Sequence, residues 1–317
     1  MKVTIPAVKG TRDFYPELMQ IRKWLYSLIE KVSTSYGYEE YEAPFIERIE
    51  LYAAKSGEEL VKEQAFVFPD RSGELITLRP ELTLSLARMV AQKQKELNYP
   101  LRWWSYGPFW RYERPQKGRT REFFQWNIDL IGSKTAEADA ELISIAAAFF
   151  EMSGLNPQQV ILKINDRNLV EDELNKLDIK HDQHHNVFRL IDRVSKLTPD
   201  AWIEYGLDLG LSRQHISGID KILSNQELWK NSQTLVRIFD LLKIIDKQQW
   251  VEYDPRVVRG LDYYTGVVFE GMDRQGGRSI LGGGRYDNLV ADVGGDPLSG
   301  IGFAMGDVMT LIVLNAY

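Results

Sequence analysis

Four cationic side chains are concentrated in one short segment, between two runs in which polar and apolar residues alternate. The segment reads FWRYERPQKGRTREFFQWNIDLIG (109–132), and its loop carries Arg114, Lys117, Arg119 and Arg121 against the single acid Glu122. Guanidinium groups bind phosphate oxygens through paired hydrogen bonds, so such a loop is suited to a polyphosphate. The alternative is a solvated hairpin loop with ordinary surface charge. The patterned runs on both sides favour the polyphosphate site.

The flanking runs place further polar groups beside this loop. Because side chains on a strand alternate between faces, the second run has a mixed polar and aromatic face and an apolar face. The first face carries Phe123, Gln125, Asn127 and Asp129, and the second carries Phe124, Trp126, Ile128 and Leu130. If the runs pair as a hairpin, Arg111 and Glu113 of the first run lie on the face of Gln125. We therefore expect an arginine, an amide, carboxylates and an aromatic ring on one surface of a sheet.

The overall composition limits the class of protein. The chain has 317 residues, of which 44% are hydrophobic and 26% charged, so it is globular and not disordered or fibrous. The net charge is −6, so any contact with nucleic acid must use a local basic surface. The absence of cysteine excludes disulfide scaffolds, thiolate zinc sites and cysteine nucleophiles. The first residues lack the apolar core of a signal peptide and no long apolar run occurs, which predicts a cytoplasmic protein with no membrane association.

The elements around the loop alternate irregularly between helix and strand. Apolar spacing predicts a helix over 16–35 that stops at Gly37, and an extended segment follows that Pro44 interrupts. A hairpin pattern over 65–81 leads into a helix over 82–97, and another helix is expected over 136–152 after the basic hairpin. Because the strands come as hairpins, we predict an α+β fold with a mostly antiparallel sheet of six or seven strands, flanked by helices.

The second half of the chain has a helical segment between strands. A strand is predicted over 158–166, polar helical spacing extends over 169–247, and strand character returns after 250. The prediction is a sheet domain formed by 1–168 and 248–317, with 169–247 as an all-helical insertion.

Several long motifs, in order, resemble the histidyl-tRNA synthetase family of the class II aminoacyl-tRNA synthetases. The segment RYERPQKGRTREFFQWNIDLIG is similar to the second class II motif, and TLRPELTLSLARM (77–89) to the substrate-binding segment. RGLDYYTGVVFE (259–270) and GGGRYD (282–287) resemble the two histidine-specific motifs, and KGTRDFYPE (9–17) also matches. The resemblance covers essentially the whole chain, and it implies a class II aminoacyl-tRNA synthetase-like sheet.

The resemblance implies that the protein is a histidine–tRNA ligase that forms histidyl-adenylate from histidine and ATP with Mg²⁺. Arg111 would hold the α-phosphate, Glu113 would contact the adenine side of the nucleotide, and Phe123 would stack on adenine. Arg119 would approach the terminal phosphates. Arg259 matches the arginine that acts on the α-phosphate, where its fixed charge stabilises the negative charge that develops as the histidine carboxylate attacks.

The resemblance also implies the residues that bind histidine. Glu81, Thr83, Gln125 and Asp129 would bind the amino group, although many members carry glutamate where this chain has Asp129. Three tyrosines from the histidine-specific motifs would contact the imidazole, namely Tyr263, Tyr264 and Tyr286. Their alternative interpretation is that of half-buried aromatic residues of the sheet. The glycines 282–284 either allow close approach to a ligand or mark a bulge.

The remaining implications concern partners. Arg114 and Gln116 would face the acceptor end of tRNA(His), and the helical segment would touch the acceptor stem. The family forms homodimers, with the first helix and the segment around Pro44 at the interface. The run HDQHH (181–185) has the spacing of metal ligands, but we interpret it as the solvated face of a polar helix and predict no metal site.

Two departures from the family keep a second interpretation open. Met309 stands where the third class II motif carries an arginine that covers the phosphates, and the chain ends where the family continues into an anticodon-binding domain. The regulatory subunit of ATP phosphoribosyltransferase resembles the same core without that domain and does not charge tRNA. The complete set of Arg111, Glu113, Arg119 and Arg259 favours the ligase, and the short chain indicates either a catalytic core or a naturally short paralog.

Overall fold

A long, mostly antiparallel sheet forms the centre of the computed structural model, which describes residues 4–53, 64–259 and 263–317. The strands are β1 (Glu39–Glu40), β2 (Ile46–Arg48), β3 (Phe66–Pro69), β4 (Leu75–Leu78), β5 (Leu101–Trp110), β6 (Glu122–Ile131), β7 (Val160–Asp166), β8 (Val251–Tyr253), β9 (Val267–Asp273), β10 (Leu281–Tyr286) and β11 (Gly300–Gly306). Eight of them form the central sheet in the order β1-β5-β6-β11-β10-β9-β7-β8. A second sheet has the order β2-β4-β3.

The predicted class is confirmed, but the predicted number of strands was too small. The central sheet has eight strands instead of six or seven, and its two outermost pairs, β1 with β5 and β7 with β8, are parallel. The additional edge strands have two and three residues, which is too short for alternation to identify them. The predicted hairpin over 65–81 does form, as β3 and β4, but it belongs to the smaller sheet.

The helices follow the apolar spacing closely. They are α1 (Pro16–Ser35), α2 (Glu50–Ala53), α3 (Thr83–Lys93), α4 (Ala136–Met152), α5 (Arg167–Lys176), α6 (His181–Arg193), α7 (Pro199–Asp208), α8 (Arg213–Ser224), α9 (Gln233–Ile244), α10 (Leu289–Asp292) and α11 (Asp307–Leu314). Helix α1 ends just before Gly37, whose φ of +77° suits the residue that follows a helix. Helix α3 ends four residues before the predicted position, because the apolar pattern continues to Leu97, which packs in the core from outside the helix.

The helical segment occupies the predicted part of the chain. Helices α5 to α9 span 167–244, and α9 packs against α4 of the sheet region. Their buried side chains belong to the same apolar cluster as those of the sheet. The division into 1–168, 169–247 and 248–317 stays a prediction.

The alternation in β6 separates the two faces of the sheet. Trp126 and Ile128 lie in the main core, where the Trp126 ring contacts Phe149 of α4 and Phe303 of β11. The other face, which carries Gln125 and Asp129, is covered by α3, α10 and the tyrosines of the 263–286 region. The polar face therefore has its own smaller core and is not open to solvent throughout. Among the residues that the structure describes, no helix combines the length and apolar character needed to cross a membrane.

Candidate active site

The register of four strands places small residues in the middle of the polar face of the sheet, an area that we call the hollow. One row across β6, β11, β10 and β9 reads Asn127, Ala304, Gly282 and Glu270. The next row reads Asp129, Gly302, Gly284 and Val268. The middle of each row is occupied by glycine or alanine and the ends by larger residues. Small side chains in the middle therefore let other groups approach the sheet closely, with carboxylates and an amide at its sides.

Two glycines in these rows are required by close approach. A Cβ at Gly302 would overlap the Oδ1 atom of Asp129, and a Cβ at Gly282 would overlap the guanidinium of Arg259. The strand that contains Gly282 pairs in unbroken register with both neighbours, so its glycines do not mark a bulge. Of the two interpretations left open by the sequence, close approach is the one that the structure supports, although the approaching groups are side chains of the protein itself.

Asp129 and Glu81 form the acidic end of the hollow. Asp129 is 3% exposed and accepts a hydrogen bond of 2.7 Å from the Tyr286 hydroxyl. Burial raises the pKa of Asp129 to about 7, with a smaller contribution from the charge of Glu81, while the Tyr286 hydrogen bond opposes the shift. An ammonium group placed here would lower the pKa of Asp129 again, and the ionised carboxylate would bind the ammonium.

Glu81 is fixed at the N-terminus of α3. Its Oε2 accepts a hydrogen bond of 2.8 Å from the backbone N–H of Thr83, and its Oε1 accepts one of 3.3 Å from that of Leu84. Burial raises the pKa of Glu81, and these two hydrogen bonds and the charge of Arg111 oppose the shift. The helix N-terminus therefore orients the carboxylate and favours its ionised form.

The three predicted tyrosines lie together beside this acidic end. The rings of Tyr263 and Tyr264 have centroids 4.9 Å apart, and those of Tyr263 and Tyr286 are 6.2 Å apart and perpendicular. All three are buried, and burial raises the pKa of Tyr263 and Tyr286 well above its ordinary value. Their hydroxyls are thus neutral donors at physiological pH. They are more deeply buried than the half-buried sheet aromatics of the alternative interpretation.

Arg111 lies one residue beyond the end of β5, beside Pro80 and Glu81. The strand was expected to carry both Arg111 and Glu113, but it ends at Trp110, and pairing continues only through the Arg111 N–H, which donates to Arg121 O at 2.9 Å. The Arg111 Nε donates to Pro80 O at 2.9 Å, and its guanidinium carbon lies 5.4 Å from the centre of the Phe123 ring. Because a guanidinium has five N–H donors, the others remain for a ligand.

Arg259 is held in a strained conformation above Gly282. Its φ is +55°, a left-handed value that costs a residue with a side chain about 1–2 kcal/mol. Its Nη1 donates to Glu270 Oε1 at 2.7 Å, and its Nε is buried without a hydrogen-bond partner among the described residues. Burial lowers the pKa of Arg259, but the charge of Glu270 outweighs it, so the pKa is raised and the group stays cationic. Strain of this kind is typical of functional sites.

The carboxylates and the arginines belong to one electrostatic environment. The charge of Glu81 raises the pKa of Tyr263 and of Asp129, and the charge of Arg111 lowers the pKa of Glu81. The charge of Arg259 acts on Tyr264, which is also affected by Asp129. The guanidinium and carboxylate groups therefore lie close enough together for their charges to interact, and they are not scattered over separate surfaces.

A family model for histidyl-tRNA synthetase matches residues 10–310 of the chain. The chain belongs to the histidyl-tRNA synthetase family. It is 40% identical to the chloroplastic/mitochondrial histidine–tRNA ligase of Arabidopsis thaliana over 99% of this chain and 67% of that protein. It is 39% identical to the histidine–tRNA ligase of Leptospira biflexa over 100% of this chain and 75% of that one.

Solved structures agree in fold. A Bacillus halodurans protein, described as an ATP phosphoribosyltransferase regulatory subunit/histidyl-tRNA synthetase, has a TM-score of 0.84 at 25% identity, covering 99% of this chain and 83% of its own. The histidyl-tRNA synthetase of Nostoc sp. PCC 7120 has a TM-score of 0.81 at 22% identity, covering 99% and 76%. At this identity, the similarity to the Nostoc structure shows the fold alone.

In this histidyl-tRNA synthetase-like chain the basic loop is a tight turn. Gln116 and Arg119 exchange two backbone hydrogen bonds, of 3.1 and 2.9 Å. The Arg119 side chain is 48% exposed and forms an ion pair with Glu113, with 3.0 Å between Nε and Oε2. Arg114 and Gln116 are exposed. The loop thus presents Arg114 and Arg119 to the solvent, and Glu113 is already engaged by Arg119.

The other predicted ligands lie on the expected face of β6. Gln125 is half-buried, and its side chain has no hydrogen bond to the part of the chain that the structure describes. Phe123 stacks on Phe109 with ring centroids 5.9 Å apart. Thr83 stands at the start of α3, close enough to Tyr263 to oppose the rise of the Tyr263 pKa. The structure therefore gathers all these residues around the hollow, while their individual roles stay predictions.

Sequence reasoning missed three charged residues of this region. Glu270 holds Arg259, and its only signal was a polar residue within the apolar strand β9. Arg79 is fully buried between the rings of Phe45 and Phe109, with its guanidinium carbon 4.6 Å from each centroid, and pairs with Glu42. Arg278 lies in the turn between β9 and β10, where no periodic pattern could have indicated it.

The histidine cluster was interpreted wrongly as a solvated face. His184 is 3% exposed, because it shares the inner face of α6 with Val187, Phe188 and Ile191, and only His181 of the pair is exposed. The polar composition of the run concealed an apolar face that continues beyond it.

Proposed function

We propose that the protein activates histidine with ATP and transfers it to the terminal ribose of tRNA(His). The observation that carries this proposal is the meeting of two cationic groups, Arg111 and Arg259, with two buried carboxylates, Glu81 and Asp129, around one hollow. Membership of the histidyl-tRNA synthetase family supports the same reaction.

In the proposed binding mode, the ammonium of histidine lies between Asp129 and Glu81. Both carboxylates have raised pKa values in the free protein because they are desolvated, so a bound cation would favour their ionised forms. Gln125 and Thr83 would supply neutral acceptors. The neutral hydroxyls of Tyr263 and Tyr264 would contact the imidazole.

In the activation step, the histidine carboxylate attacks the α-phosphorus of ATP and pyrophosphate leaves. Arg111 and Arg259 would contact the α-phosphate from the open side of the hollow. Arg259 uses one N–H for Glu270 and keeps others for the ligand, so its charge is oriented before the reaction. No side-chain nucleophile takes part.

The adenine ring would stack on Phe123, beside the Glu113 carboxylate. Arg111 and Arg119 would face the phosphates. The nearby carboxylate of Glu113 is already paired with Arg119. This set of groups fits a magnesium ion that arrives with the nucleotide and is bound mainly by phosphate oxygens, rather than an ion held by the protein alone.

In the second step, the acceptor end of tRNA(His) would approach the exposed Arg114 and Gln116 of the basic loop. The helical segment 169–247 would touch the acceptor stem. A cytoplasmic location stays a prediction, since one relative is described as chloroplastic/mitochondrial.

We also propose that the chain forms a homodimer through α1 and the segment around Pro44. Large apolar side chains are exposed there, namely Leu18, Ile21, Trp24, Phe45 and Ile46. A cavity of about 780 Å³ lies between α1 and α11, away from the hollow, and Leu18, Ile21 and Trp24 line it. Analytical ultracentrifugation of the purified chain tests this: a monomer at micromolar concentration contradicts it.

The reaction is tested by histidine-dependent exchange of labelled pyrophosphate into ATP, followed by charging of tRNA(His). We expect exchange with histidine and none with the other amino acids. A folded protein that binds histidine without exchange would instead support the regulatory-subunit interpretation, which the description of the similar Bacillus halodurans protein includes.

A further inference from the structure

Arg278 is a cation near Arg119 and Glu113 that has no partner among the described residues. It is half-buried in the turn between β9 and β10, and it forms no hydrogen bond or ion pair with any residue in 4–53, 64–259 or 263–317. The other arginine of that turn, Arg274, is engaged: its side chain donates to Pro157 O at 2.6 Å and to Glu252 at 2.7 Å. A partly desolvated guanidinium without an acceptor is unfavourable unless an anion binds.

The neighbours of Arg278 belong to the basic loop. A side chain starting at Gly118, at the tip of that loop, would lie 3.3 Å from Arg278 Cδ and 2.5 Å from the Met309 sulfur. Arg278 also lies close enough to Arg119 and Glu113 for their charges to act on it. Two guanidinium groups therefore meet near Glu113, which is the partner of only one of them. The surplus positive charge indicates an anionic ligand.

We propose that Arg278 and Arg119 together bind the terminal phosphates of ATP, an inference that rests on the proposed function. Met309 on α11 cannot bind a phosphate, and its thioether contacts the loop tip instead. Arg278 supplies the missing charge from a different element that reaches the same place. Lys117 stands farther out as an exposed side chain of the turn.

The test is Arg278→Ala in pyrophosphate exchange, with KM for ATP and for histidine measured separately. Loss of a charge-assisted hydrogen bond predicts that KM for ATP rises about 10- to 100-fold, while KM for histidine stays within about twofold. Arg274→Ala, in the same turn, is the matched control and should change neither. The double variant Arg278→Ala/Met309→Arg should recover part of the ATP affinity, since it returns a guanidinium to the loop tip.

An Arg278→Ala protein with an unchanged KM for ATP would overturn the proposal, and so would a Met309→Arg change that gives no recovery. If the unaltered protein shows no exchange, the proposed function fails, and calorimetric titration with ATP then tests Arg278 by itself. Weaker ATP binding by Arg278→Ala than by Arg274→Ala would support the subsite, and equal binding would reject it.

A second inference arises independently in the helical segment. Glu171 of α5 and His181 and His184 of α6 bring one ligand atom each within 4.8 Å of one another. The His184 Nε2 lies 3.1 Å from Ile179 O, and because a carbonyl only accepts, Nε2 carries the proton. The Nδ1 atom then has a free lone pair, and it is buried without a partner among the described residues. Metal-binding histidines commonly donate their other N–H to a backbone carbonyl in this way.

We infer that these three residues bind one divalent metal ion of the zinc type. Two imidazoles and one carboxylate are a common zinc ligand set that leaves further positions to water. The ion would join α5 to α6 far along the chain from the catalytic motifs. Its role would therefore be to stabilise the helical segment and not to take part in adenylate formation.

Titration of the chelator-treated protein with Zn²⁺, followed by calorimetry and thermal unfolding, tests this second site. We expect one equivalent of Zn²⁺ to bind and the melting temperature to rise. The exposed His181 is the residue to change, because His181→Ala leaves the buried His184 in place; it should weaken binding at least about tenfold. His185→Ala is the neighbouring control. Equal Zn²⁺ affinity in His181→Ala and His185→Ala, or no binding to the unaltered protein, would reject the site.

Discussion

The end of the hollow that holds Asp129 and Glu81 is built from regular strands and a helix N-terminus, whereas the end that holds Arg119 and Arg278 is built from turns. At the first end the carboxylates are buried and oriented by hydrogen bonds, and their pKa values are raised. At the second, the cations are partly exposed, and one of them, Arg278, has no partner in the part of the chain that the structure describes.

The difference reflects what each substrate group demands. An α-ammonium is one small charge, so selecting it requires desolvated carboxylates in fixed positions. A triphosphate offers many oxygens, so a guanidinium can reach it from several elements. If the proposed function holds, Arg278 can supply the charge that Met309 lacks, whereas the strand rows offer no neighbouring substitute for Asp129.

The largest expected effect tests Arg259, whose guanidinium lies over Gly282 in the strand rows. Arg259→Ala should lower the rate of pyrophosphate exchange about 10²- to 10³-fold, because an oriented charge at the α-phosphate is lost. Binding of histidine should change little. Arg256→Ala, which breaks a nearby ion pair with Asp254, is the control and should exchange at nearly the normal rate. Unchanged exchange in Arg259→Ala would remove the assigned electrostatic role.

The second test asks whether the acidic end is unfavourable without its ligand. The pKa of Asp129 is raised from 3.8 to about 7, so between these values the native state keeps a proton that the unfolded state has released. The free energy of unfolding should therefore fall as pH rises from 4 to 7, by up to about 1.4 kcal/mol per pH unit from this group. Urea unfolding of the protein and of Asp129→Asn at pH 5 and pH 7 measures it.

The variant isolates Asp129, because other buried acids with raised pKa values, such as Asp139, are present in both proteins. We expect a shallower pH dependence in Asp129→Asn, and a shallower one in the unaltered protein when histidine is saturating. Parallel pH dependences in both proteins would mean that ionisation of the buried Asp129 does not lower the free energy of unfolding.

A third test fills the space in front of Asp129. Gly302→Ala should displace the Asp129 carboxylate and raise KM for histidine, since overpacking costs about 1–3 kcal/mol, while KM for ATP changes less. Gly306→Ala, on the same strand with no atom within 4 Å of the added methyl group, is the matched control. Circular dichroism checks that both fold. Equal increases of both KM values would show that the two ends are not separable.

The features that the sequence revealed are those with a local period. Alternation assigned Asp129 and Gln125 to one face of β6, and apolar spacing gave both ends of α4, because neighbouring residues alone determine these patterns. Motif resemblance located the tyrosines. Glu270 and Arg278 could not be found in this way, since the bond of Glu270 with Arg259 and the position of Arg278 near Arg119 depend on how β9 and β10 pair within the sheet. The depth of Asp129 likewise depends on its register with Gly302.

The smallest expected effect separates charge in a fixed position from total charge at the phosphate end. Lys117 is exposed in the turn of the basic loop, so Lys117→Ala should raise KM for ATP by no more than about fivefold, which corresponds to about 1 kcal/mol. That effect should vanish at high salt, because exposed charges are screened, whereas the effect of Arg278→Ala should persist. KM for ATP at two ionic strengths measures both. If Lys117→Ala weakens ATP as much as Arg278→Ala does, the loop acts as a diffuse cationic surface, and the distinction between a positioned arginine and its neighbours is wrong.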